Sequence, residues 1–133
     1  MSDTSETAAV PANQEFKRHE NFESWYTNNI QFHPTEWDLK LIFGEIDWQG
    51  NSAIVQQHTA MSVAWLQVKL MQYFLNLQIG IYEMQHGTIK VPSSVLPPEP
   101  QPPSDEDLKK YPFAYQAYEY IKKAREQFIS SLG

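Results

Sequence analysis

The segment from Val63 to Gln85 constrains this chain more than any other. Placed on a helix at about 100° per residue, Val63, Leu66, Leu70, Tyr73, Phe74, Leu77, Ile81 and Met84 form one apolar stripe. Trp65, Val68, Met71, Leu75, Ile79 and Tyr82 form a second stripe nearly opposite. Gln67, Gln78 and Gln85 lie in one seam between them, and Lys69, Gln72, Asn76 and Glu83 in the other. Ser62 suits an N-cap and Gly87 a helix stop. A surface helix needs one apolar face, whereas a helix apolar on two faces is buried on two. Whatever packs on the first stripe, something else has to cover the second.

The residues upstream read as the first cover. Trp25 to Phe32 is rich in β-favouring side chains, with Tyr26, Ile30 and Phe32 on one parity, and His33-Pro34-Thr35 reads as a turn. Trp37, Leu39, Leu41 and Phe43 then alternate with Asp38, Lys40 and Ile42, an apolar face at period two. Gly44 ends that alternation, and Ile46 and Trp48 carry the strand past a bulge. Gln49-Gly50-Asn51-Ser52 is a turn cluster, and Ala53 to Met61 is a third strand. The expected fold is α+β: an antiparallel sheet of three to four strands packed on one long helix, plus a tethered C-terminal helix. Short strands cover one helix face, so the second, through Trp65, Val68, Leu75, Ile79 and Tyr82, is the expected homo-oligomer interface. The alternative is that the C-terminal helix folds back and caps that face within one chain.

Composition divides the chain into four zones. Residues 1–23 are polar and acidic, with too little apolar surface to offset the entropy of ordering them, and are expected to form a disordered tail. Residues 24–92 form the core domain; only eight of these 69 are Asp, Glu, Lys or Arg, and all four tryptophans lie there. Residues 93–103 hold five prolines between Pro97 and Pro103, the composition of an extended, polyproline-like linker. In 104–133, Ser104 caps an acidic helix start, Pro112 interrupts, and a longer helix follows. Its stripe of Phe113, Ala117, Ile121, Ala124, Phe128 and Leu132 steps by threes and fours. Phe113, Ala117, Ile121 and Phe128 are the expected docking residues for the chain's own core or another protein.

Several functions are disfavoured by what the chain lacks. With no cysteine there is no disulfide framework, thiolate metal site or thiol nucleophile. A net charge of −6 opposes sequence-independent nucleic-acid binding, which needs basic surface. No apolar run approaches the roughly 18 residues of a membrane span, and the N-terminus has no signal pattern, so a cytoplasmic protein is expected. His19, His33, His58 and His86 show no metal-ligand spacing, the five glycines make no phosphate-cradling loop, and the serines lack a nucleophile-elbow context. Asp38 is the one carboxylate in an otherwise apolar run, and would matter chemically only if it shared a pocket with His58. Asn28-Asn29 suits either a ligand or local backbone at a bulge. No catalytic, cofactor-binding or metal-ligating residue is assigned, no cofactor is expected, and the chain reads as not an enzyme.

Tyr26-Thr27-Asn28-Asn29-Ile30, followed by Trp37-Asp38-Leu39, Phe43-Gly44, a strand ending Met61-Ser62, a helix ending Tyr82-Glu83 and then Gly87-Thr88-Ile89, resembles a small prokaryotic family, domain of unknown function three-four-six-seven. The resemblance spans about residues 25–92. Members typically begin the helix with Ser-Pro-Gln-His-Ala-Lys, where this chain has Ser62-Val63-Ala64-Trp65-Leu66-Gln67, so the His and Lys are absent here. The resemblance implies the fold and brings no established activity. In element order and acidic charge the chain is also analogous to SecB-type export chaperones. The expected function is therefore a non-enzymatic protein-interaction or scaffold module, homo-oligomeric through the second helix face. The alternative is a SecB-like holdase that binds unfolded polypeptides. Expected partners are a second copy and another protein at the C-terminal helix, with neither nucleic acid nor membrane.

Overall fold

The computed structural model describes residues 13–133, so residues 1–12 of the expected tail lie outside the described residues. From 13 to 28 the described chain has turns and bends only. Three strands follow, β1 (Asn29–Pro34), β2 (Asp38–Gln49) and β3 (Ser52–Ala64), then a long helix α1 (Trp65–His86). A 3₁₀ turn at Ser93–Val95 and two helices, α2 (Asp105–Lys110) and α3 (Ala114–Ser131), complete the chain. The fold is α+β, with three strands in the antiparallel order β1-β2-β3. The chain divides into two compact units, Met1–Val68 and Lys69–Gly133, and the boundary falls inside α1.

The hairpin between β2 and β3 turns on Gly50, whose φ of +66° precedes Asn51 at negative φ. That is the type II′ arrangement, which matches the twist of the strands it joins. Its register pairs Asp38 with Ala64, so β3 runs three residues past the expected end at Met61. Ser62 is consequently a strand residue opposite Lys40 and not an N-cap. Helix begins directly at Trp65, whose indole Nε1 donates to the Thr35 carbonyl at 3.0 Å and fixes the corner. The β1–β2 turn is likewise displaced by two residues: Pro34 ends β1 opposite Leu39, tolerated because β1 is an edge strand. Thr35 makes the turn, its Oγ1 accepting from the backbone N–H of Trp37 and Asp38.

One irregularity organises the sheet. Phe43 pairs with Thr59 but Gly44 pairs with Gln57, so His58 is an extra residue in β3. Side chains alternate faces along a strand, so the register assigns Leu39, Leu41 and Phe43 to one face with Val63, Met61 and Thr59 and with Pro34, Phe32 and Ile30. Leu41 stands at the centre of that set and, at 5% exposed, is the one buried apolar side chain among the described residues. Beyond Gly44 the apolar parity of β2 reverses: Ile46 and Trp48, with Val55 and Ala53 opposite, occupy the other face. Because β1 starts at Asn29 opposite Gly44, this distal stretch is a two-stranded arm. The sheet's apolar residues are thus split between its two faces. No residue of α1 is buried.

The C-terminal elements follow their local chemistry. Ser104 Oγ accepts from the Asp107 N–H at 3.1 Å while the Asp107 carboxylate accepts from the Ser104 N–H at 3.2 Å, a reciprocal cap on α2. Gly87, at φ +87°, ends α1 with its N–H on the Glu83 carbonyl at 2.9 Å.

Candidate interaction surface

The long helix presents its apolar surface on both sides. On the first stripe Leu66, Leu70, Tyr73, Phe74, Leu77, Ile81 and Met84 are each at least 40% exposed, with Leu66 at 75% and Met84 at 82%. Together they expose about four whole residues, roughly 800 Å² at ~200 Å² per large side chain. On the second, Leu75, Ile79 and Tyr82 are exposed, and Val68 and Met71 half-buried. Trp65, grouped with them from the sequence, is partly engaged by its bond to Thr35. Within the second unit α3 leaves Leu75, Ile79 and Tyr82 exposed, so the cap in cis is not made.

The proline run is more than a tether. Arg125 Nε donates to the Pro97 carbonyl at 2.8 Å, and its Nη1 lies 3.9 Å from Glu99 Oε1. Pro100 and Pro103 are half-buried, as are Ala114, Tyr118 and Arg125 at steps of four and seven along α3. Between prolines and helix runs an open groove of about 730 Å³, lined by Pro100, Pro103, Tyr111, Phe113, Ala117 and Ile121 among others. The prolines border a flank of α3 and leave Phe113, Ile121 and Phe128 of the expected docking stripe exposed. Ala117 lines the groove between them. Tyr115 titrates above its ordinary value because Glu119 accepts a hydrogen bond from its hydroxyl and places a negative charge beside it.

The chemistry-bearing residues of the sheet serve its architecture. Asp38 Oδ1 accepts from the Thr35 hydroxyl at 2.8 Å within the turn. His58 stands at the bulge, where the register places it several residues up the strand from Asp38. Its ring stacks on Trp25 with centroids 4.7 Å apart, and Nε2 lies 2.9 Å from the Tyr26 carbonyl. A carbonyl only accepts, so Nε2 carries the hydrogen, and in the neutral ring Nδ1 accepts from the Thr59 hydroxyl at 2.8 Å. A shallow hollow of about 220 Å³ beside this pair is lined by Glu23, Trp25, Thr27, Phe43, Thr59 and Met61 with His58 itself. Asp38 does not line it. Thr27 Oγ1 donates toward the Gly44 and Asn29 carbonyls and accepts from the Gly44 N–H, and Asn28 Oδ1 accepts from the Ile46 N–H. Tandem Asn therefore serves the bulge at Asn28, while Asn29 Oδ1 is buried without a hydrogen-bond partner among the described residues. No group of three or more metal-capable side chains is present among the described residues.

Sequence reasoning did not single out Thr27, Trp25 or Arg125. Their roles depend on pairings 17 to 33 residues apart, Thr27 with Gly44, Arg125 with Pro97 and Trp25 with His58, and no local pattern announces them. No helix among the described residues is long and apolar enough to cross a membrane. Comparison of the chain with protein-family models, curated proteins and solved structures gave no match.

Proposed function

We propose that this chain is a non-enzymatic, cytoplasmic interaction module that works as a homo-oligomer assembled around α1. Val68, Leu75, Ile79 and Tyr82 meet their counterparts in other copies, and assembly covers the first stripe as well. The observation that carries this reading is that α1 is apolar on two faces and has no buried residue. A lone chain with one buried apolar side chain among its described residues falls far short of offsetting about 1–2 kcal/mol of backbone entropy per ordered residue. Helices sharing both faces with copies of themselves supply the missing burial. The exposed stripe of α3 is then free for a different protein. Charge-introducing substitutions at Leu75 and Ile79 test the reading: the double variant Leu75→Glu, Ile79→Glu loses solution mass, and an unchanged mass refutes it.

A holdase is the second reading, favoured by the first stripe, where Leu66 and Met84 are among the most exposed side chains of the helix. It requires that apolar surface stay accessible after assembly. A hydrophobic, environment-sensitive dye binds the native oligomer of a holdase and leaves a closed scaffold dark.

A further inference from the structure

We infer that the outer edge of β3 pairs antiparallel with β3 of a second copy of this chain. β3 is terminal in the order β1-β2-β3, so one row of its backbone donors and acceptors has no ladder partner within the sheet. Proteins ordinarily blunt such edges with charge, proline, shortness, bulges or cover. The other edge follows that rule: β1 has six residues and ends in Pro34. β3 has its bulge alone, for its 13 residues Ser52–Ala64 include no Asp, Glu, Lys, Arg or Pro. The bulge at His58 divides it into 52–57 and 59–64, each still as long as an ordinary strand.

The composition of β3 identifies the occupant. When a strand pairs antiparallel with itself, residues near the two-fold axis face their own copies, so a charge there meets a like charge. β3 carries none along its whole length, while β2 carries Asp38, Lys40, Glu45 and Asp47. Self-pairing also eases the edge problem: over its three-stranded part the joined sheet ends on two copies of β1, each guarded by Pro34. This inference builds on self-association as the general reading but uses a surface other than α1.

Amide hydrogen exchange on the full chain, read residue by residue by NMR, tests it without a mutation. A free edge protects only alternate β3 amides, those bonded to β2; a self-paired edge protects consecutive amides in 52–57 or 59–64. Consecutive protection is expected, and strict alternation overturns the inference. As a second readout, Ala60→Lys places a like charge on each copy of an exposed edge residue and is expected to at least halve the solution mass. If Ala60→Lys keeps both the mass and the exchange pattern, the edge inference fails, whatever the α1 variants do. If Leu75→Glu, Ile79→Glu keeps its mass while β3 stays continuously protected, the helix reading fails and the edge stands.

Discussion

Gly44 is the residue on which the register of the sheet turns, and replacing it measures how firmly the bulge is built. An alanine Cβ there would lie 2.7 Å from the Gln56 carbonyl oxygen, 3.0 Å from Val55 Cγ1 and 3.1 Å from Gln57 Cα. Two of those three atoms are backbone, so relief requires opening the β2–β3 ladder beside His58. Overpacking of this kind costs ~1–3 kcal/mol, and the smaller conformational freedom of alanine in the unfolded chain returns ~0.4–1 kcal/mol. The net is about 1–2 kcal/mol of destabilisation, or roughly 5–15 °C in Tm at ~4–8 °C per kcal/mol. Gly80 is the internal control, since nothing lies within 4 Å of a Cβ placed there. Gly80→Ala should gain ~0.5–1 kcal/mol from helix propensity, provided no second chain approaches that side of α1 closely. Both are read by thermal melts at one fixed chain concentration, because the stability of an oligomer depends on it. A Gly44→Ala protein that melts at or above the parent temperature would show that the bulge is not built this way, and the facial switch argued from it would fall.

Other perturbations probe separate links. Leu41→Ala empties the centre of the nine-residue sheet face and should cost ~2–5 kcal/mol by chemical denaturation. Thr27→Val keeps the shape but deletes the hydroxyl bonded to Gly44 on both its N–H and C=O, a loss of about 1–3 kcal/mol by the same assay. Arg125→Ala releases the Pro97 carbonyl, so amide exchange in 95–101 should accelerate while that of β2 stays unchanged. Glu119→Gln removes the charge beside Tyr115, so tyrosinate absorbance should develop at lower pH than in the parent.

Much of the fold was legible because period-two and helical patterns are local. The alternation of Trp37 to Phe43, the Gly50 turn, the Gly87 stop and the Ser104 cap each name an element that the structure contains. The break at Gly44 marked the bulge, although nothing nearby said that His58 would be its extra residue. Ser62 misled because capping is a local preference, and the ladder running on to Asp38 and Ala64 overrode it. The proline run looked like a spacer because its contact with α3 depends on Arg125, 28 residues away. The two-faced pattern of α1 indicated that partners are needed, whereas the uncharged edge of β3 becomes meaningful only once the strand order makes it terminal.

Solution mass by multi-angle light scattering, on the full chain and on a chain ending at Pro92, tests the central claim of self-association most directly. The account requires both to be stable oligomers, because α1 and the β3 edge are present in each. A full-length chain that elutes at the monomer mass of 15.5 kDa at every concentration, and stays folded, would contradict it.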